Sequence, residues 1–114
     1  MKTVSFKVPF VAVQERARKG KNGWYAPSSK LQRSIGMMAL EARARARIGP
    51  FNGDCHVTLT CLGFDRKDLD NAIKIVLDAC NGVLWEDDDQ VVLIVARKIR
   101  IGEPRMEVNV SKVD

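Results

Sequence analysis

One histidine and three cysteines are the only imidazole and thiol side chains in the 114-residue chain. Cys55, Cys61 and Cys80 are odd in number, no C-x-x-C occurs, and no Cys/His cluster has zinc-site spacing. That excludes a disulfide framework and a structural zinc. Three reduced, mostly buried thiols in a cytoplasmic protein are expected instead. His56 stands alone on a strand-like stretch, a place more often structural than catalytic. The N-terminus lacks the apolar run of a signal peptide, and no segment reaches the length of a membrane span, so no membrane partner is expected. Repeats and low-complexity tracts are also missing. The length fits one domain over 1–114 with a modest core, for which a partner subunit is a common support.

What is present is positive charge and clear periodicity. The formal net charge is +5, which points to a polyanionic partner, although an ordinary basic soluble protein has the same balance. "TVSFKVPF" (3–10) alternates, with Val4, Phe6 and Val8 on one face, as in a half-buried strand. "QERARKGKNGWYAPSSK" breaks the pattern and reads as a basic, Gly-containing loop with a turn at Asn22-Gly23. Ser29 with Gln32 three residues on is a capping-box signature, and Leu31, Ile35, Met38 and Ala42 keep helical spacing up to the stop at Gly49-Pro50. Arg43, Arg45 and Arg47 suit the negative end of that helix. "CHVTLTCL" (55–62) is a second strand. Ile73, Val76, Leu77 and Cys80 define a second helix from about Asp68 to Asn81-Gly82. "QVVLIVARKIRI" is apolar on both faces at first, so it is either central or meets a second subunit. "RMEVNVSKV" alternates, with Met106, Val108 and Val110 inward, and pairs back as a hairpin. The expectation is an α+β fold: a small mixed sheet with two helices, in the order β-α-β-α-β-β.

The acids are concentrated between 65 and 89, in "DRKDLDNAIK" and "WEDDDQ". Asp is a good helix N-cap, and acids suit a first helical turn, so one aspartate there needs no further reason. Asp68 and Asp70 together exceed what a cap requires. An extended approach would place them on one side, with Leu69 toward the core. Two such carboxylates repel unless a cation lies between them. Lys74, four residues after Asp70, is either an ordinary helical ion-pair partner or a cation for a phosphate oxygen. "WEDDDQ" is either a solvated acidic loop or a loop pinned by Trp85 and Gln90-Val91-Val92 that aims Asp87 or Asp88. Carboxylates from both segments would make the oxygen-rich site that Mg²⁺ prefers, and such ions activate water and stabilise the leaving oxygen in phosphodiester cleavage. Basic residues fill the region from Arg16 to Arg47, opposed only by Glu41. A basic backbone-tracking surface beside an acidic pocket is the layout of a metal-dependent nuclease.

"KDLDNAIKIVLDAC" (67–80) followed by "LWEDDDQVV" (84–92) resembles the RusA family of Holliday junction resolvases, whose pattern is roughly Arg/Lys-Asp-x-Asp-Asn-x-x-Lys, an apolar helix, then Trp-x-Asp-Asp-x-Gln-Val. The opening strand and "RARKGKNGWYAP" also fit, so the resemblance covers nearly the whole chain. It implies a homodimer that cuts four-way DNA junctions by paired symmetric nicks with Mg²⁺, or Mn²⁺ as substitute, in recombination and repair. The cytoplasm, at the nucleoid or in a phage-infected host, is the implied location. Residue by residue, Asp68 and Asp70 match the paired metal-binding aspartates, Lys74 the essential lysine and Asp88 the third carboxylate, with Asp87 beside it. Lys67 stands where the family often has Arg. Glu86 and Asp89 are additional acids that depart from the pattern. Arg16, Arg18, Lys19, Lys21, Lys30, Arg33, Arg66 and Lys67, with the Arg-rich first helix, are the expected DNA-tracking residues. Trp24 and Tyr25 either stack on opened bases or pack the loop onto the body. Two alternatives stay open: a branched-DNA-binding protein without catalysis, and a nuclease preferring flaps or forks.

Overall fold

The structure, a computed structural model, describes residues 2–9, 27–63 and 68–113, without the side chains of Pro9 and 27–29. The basic loop with Arg16, Arg18, Lys19, Lys21, Asn22-Gly23, Trp24 and Tyr25 lies outside the described residues, as do Arg66 and Lys67. The elements are β1 (Thr3–Pro9), α1 (Pro27–Ala46), β2 (Cys55–Leu62), α2 (Leu69–Cys80), a 3-10 turn (Asp88–Gln90), β3 (Val91–Ile99) and β4 (Arg105–Lys112).

The four strands form one sheet in the order β1-β4-β2-β3. β4 runs antiparallel to both β1 and β2, whereas β2 and β3 are parallel and are joined through α2. Period-two alternation decides what each strand buries. Val4, Val110 and Val57 lie in one row across the sheet, with Ile94 at its end. The first three are buried and Ile94 packs partly against the same core. The next row in register, Ser5, Asn109, Thr58 and Val95, is exposed. One sheet face therefore carries the core. α1 packs on β1 and on α2, and α2 also reaches β3. Leu31, Ile35, Ala39 and Ala42 of α1 meet Ala72, Ile75, Val76, Ala79 and Cys80 of α2 in that core. Gly36 allows the helices to approach: a Cβ there would lie 3.3 Å from the Ala79 carbonyl oxygen.

Four details differ from the sequence expectation. α1 begins at Pro27 rather than Ser29, since proline at the first helical position loses no hydrogen bond. α1 also stops before Gly49-Pro50, because Arg47 turns left-handed (φ 58°) and Ile48 N–H donates back to the Arg43 carbonyl. The inward face of α2 is built from Ala72, Ile75, Val76, Ala79 and Cys80, with Ile73 and Leu77 only partly covered. Lastly, β3 and β4 do not form a hairpin. β4 inserts between β1 and β2, and the 100–104 connection crosses the end of β2. Gly63 makes that crossing possible: its φ is +70°, and a Cβ would lie 2.8 Å from Pro104. β3 is consequently an edge strand, not a central one. Val92, Leu93 and Val95 are 54%, 46% and 51% exposed, an unusual share of apolar surface for a free edge.

Candidate nuclease site

Asp68 is the N-cap of α2, with extended backbone (φ −80°, ψ 127°), but its side chain makes no capping hydrogen bond. Its carboxylate is therefore not consumed by the local role that best explains an aspartate at that position. Asp70 lies one turn-step on, already helical, so the extended stretch ends at Asp68 rather than running through both. Leu69 between them is half-buried, while Asp68, Asp70 and Lys74 are exposed. Both acids sit at the N-terminus of α2, where its unpaired N–H groups point outward. No ion pair joins Asp70 to Lys74 among the described residues, which leaves the ammonium for another anion.

The second acidic segment is a tight, pinned turn. Trp85 is fully buried, and its Nε1–H donates to Asp88 Oδ1 at 2.8 Å. The Asp87 carboxylate caps the 3-10 turn by accepting from Asp89 N–H at 3.1 Å. Gln90 closes it: Oε1 accepts from Glu86 N–H (2.8 Å) and Asp87 N–H (3.0 Å). Its Nε2 donates to the Phe51 and Gly53 carbonyls, both at 2.8 Å. Trp85 thus orients one oxygen of Asp88 and leaves the other unused, whereas Asp87 is engaged as a cap. Phe51 N–H donates to the Leu84 carbonyl at 2.8 Å, and Arg43 Nη1 donates to the Val83 carbonyl at 2.8 Å, so α1 and the start of β2 both brace this turn. Arg43 is in consequence a structural side chain. Arg45 pairs with Glu41 on the helix surface. Lys30 and Arg33 are exposed on the early turns of α1.

These contacts place Asp88 beside the C-terminal end of α2. Burial pushes the Cys80 thiol up to about 12, and the negative charge of Asp88 adds to the shift. Asp68 and Asp70 are at the other end of that helix, which is 12 residues or ~18 Å long. Within one chain, the structure does not bring the two acid clusters together, contrary to the expectation of convergence. Among the described residues no group of three acidic, His or Cys side chains is arranged to hold a metal. Hard oxygen donors with free lone pairs are present at both ends, which is the donor chemistry a divalent Mg²⁺-like ion takes. Sequence reasoning found the acids but missed what Gln90 does. Two of its four partners depend on residues 51–53 lying alongside, which no local pattern reports.

His56 is half-buried on β2 opposite Leu93, and all three thiols are buried and free. No helix among the described residues is long and apolar enough to cross a membrane.

The uncharacterized protein YqaN of Bacillus subtilis (strain 168) is 42% identical over 48 residues, which is 42% of this chain and 34% of that protein. The matched part thus spans about a third of that curated relative. The family profile described as endodeoxyribonuclease RusA matches residues 8–111, taking in both acid clusters, α2, all of β2 and β3 and most of β4. The chain therefore belongs to the endodeoxyribonuclease RusA family.

Proposed function

We propose that the protein is a homodimeric, Mg²⁺-dependent endodeoxyribonuclease that resolves four-way junctions by paired symmetric nicks, with each active site assembled from both subunits. The observation that carries the assembly is the separation of the carboxylates along α2, combined with the apolar free edge of β3. If two copies pair β3 with β3 about a two-fold axis, the strands run antiparallel. The start of one β3, next to Asp88, then lies at the same end as the finish of the other, where Asp68 and Asp70 begin the partner's α2. Each site takes Asp68, Asp70 and Lys74 from one subunit and Asp88 from the other, with Asp87 as an adjacent acid. Two such sites related by a two-fold axis suit a junction that is itself nearly two-fold.

The divalent ion (Mg²⁺, with Mn²⁺ as substitute) would supply water activation and neutralisation of charge on the scissile phosphate. The chain's own residues do the rest. Asp68 and Asp70 supply hard oxygen donors at a helix N-terminus, and Trp85 holds the Asp88 carboxylate in one orientation. Lys74, unpaired by Asp70, offsets negative charge that builds on the phosphoryl oxygens. Lys30 and Arg33 on α1 and the basic segment with Arg16, Arg18, Lys19, Lys21, Arg66 and Lys67 follow the DNA backbone through phosphate contacts.

Two experiments test the reading. Fixed and mobile junctions, a flap, a fork and a linear duplex are incubated with Mg²⁺, Mn²⁺ or EDTA. Symmetric paired nicks confined to junctions are expected, and equal cutting of flaps or forks overturns the resolvase assignment. Asp70→Asn alone keeps junction binding and loses nicking. Asp70→Asn and Asp88→Asn subunits, each inactive alone, are then co-purified as a mixed dimer. A shared site leaves one intact carboxylate set, so single nicks return. A mixed dimer as inactive as either parent refutes assembly across the two subunits.

A further inference from the structure

Behind the Asp88 turn, at the same end of the sheet, the surface forms a hollow of about 490 Å³. Its walls include Lys2, Arg47 and Lys112, together with Phe51 and Asn52, and among the described residues no acidic side chain lines it. Lys112 Nζ donates to Asn52 Oδ1 at 3.3 Å, while Lys2 and Arg47 form no ion pair among the described residues. Three cations in one concave, acid-free site give a focused positive potential. Phe51 joins this hollow to the nuclease turn, since its carbonyl accepts from Gln90 Nε2 and its N–H donates to Leu84.

Arg47 adds an independent observation. It occupies the left-handed position just after α1, with φ 58°, and is the one non-glycine residue of positive φ among those described. Glycine is the usual resident there because it bears no Cβ penalty. An arginine that keeps this backbone at the wall of a hollow it shares with two lysines points to a use for the side chain itself.

We propose that Lys2, Arg47 and Lys112 form a binding site for a backbone phosphate of a DNA duplex arm, next to the Asp88 turn. The ligand class follows from the walls. Phe51 is buried and gives no open ring for a base to stack on, so the site takes a phosphodiester and not a nucleobase. The inference rests on the nuclease reading for its choice of DNA.

Arg47→Gly is the decisive variant, because it removes the cation and relaxes the backbone at once. Its melting temperature is expected to equal or exceed that of the wild type. Its dissociation constant for a junction, and for a linear duplex, is expected to rise about tenfold at 0.1 M salt, with the log–log salt slope shallower by about 0.9. Lys2→Gln with Lys112→Gln is expected to weaken binding in the same way. Lys7→Gln, on the helix-free face of β1, removes equal charge elsewhere and is expected to have a smaller effect. Unchanged affinity in Arg47→Gly, or a loss no larger than that of Lys7→Gln, overturns the site. So does saturable binding of inorganic phosphate at Arg47, followed by amide resonances, that leaves DNA affinity untouched. A wild-type protein that binds duplex and junction equally, with both weakened by Arg47→Gly, overturns the junction reading and keeps the phosphate site.

Discussion

At the scale of single residues, Gln90 controls the shape of the acidic turn. It satisfies two N–H groups and two carbonyls that would otherwise lack partners, and it couples residues 86–90 to 51–53. Gln90→Ala should cost about 1 kcal/mol in denaturant unfolding, because the freed groups are mostly exposed and water replaces part of what the hydrogen bonds gave. Gln90→Glu should be no better, since a carboxylate would face the Phe51 and Gly53 oxygens with no proton to offer. The thiols give a separate pH prediction. Burial raises Cys61 from an ordinary 9.0 to about 11 and Cys80 to about 12. The unfolded chain would therefore release thiol protons from about pH 9 while the native chain still holds them. The stabilisation is complete below pH 9 and is lost as the pH rises toward 11 and then 12. Urea midpoints should fall over that range, and Cys80→Ala should flatten the decline while lowering stability at pH 8. The spacing of Trp85, Asp88 and Gln90 was legible in the sequence. The bonds from Gln90 to Phe51 and Gly53 were not, because those partners are 39 and 37 residues away along the chain.

At the scale of elements, alternation located β1, β2 and β4 well, because each has one buried and one solvated face. For β3 it left two readings, a central strand or a face against a second subunit, and the structure removes the first. A run apolar on both faces is the signature of a central strand, yet β3 lies at the sheet edge with β2 as its only strand neighbour among the described residues. The connection from β3 to β4 is short, which locally resembles a hairpin. Whether β4 pairs with β3 or crosses to β2 depends on β2 already being parallel to β3 through α2, a non-local condition. The misfit between apolar sequence and exposed position is what supports a second subunit here. Val95→Lys, alone or with Leu93→Lys, should leave the fold intact, since both side chains are on the helix-free face. It should convert a dimer to a monomer in sedimentation at micromolar concentration. A dimer that survives both substitutions would move the interface away from β3.

At the scale of the whole molecule, the charge split visible in the sequence becomes a question of distance. Acids clustered between 65 and 89 resemble one pocket on paper, but α2 holds Asp68 and Asp70 ~18 Å from its far end, and the Asp88 turn is braced there. A single subunit thus offers Asp68 and Asp70 at one end and the oriented Asp88 at the other, with no group of three donors arranged around one point among the described residues. Metal affinity should then follow association of subunits and not merely the presence of the aspartates. The monomerising Val95→Lys protein keeps every acidic residue, Trp85 and Gln90. It should nevertheless bind Mn²⁺, by calorimetry or by electron resonance, at least roughly tenfold more weakly than the wild-type dimer, because each ion loses a charged ligand. Diluting the wild type below its dimer dissociation constant should lower nicking per subunit in the same proportion as the dimer fraction. If the monomer instead binds Mn²⁺ as tightly as the dimer, each cluster is sufficient by itself. The opposed placement along α2 would then have to be explained by two separate metal centres in one chain, and Asp88→Asn would leave the Asp68–Asp70 centre loaded.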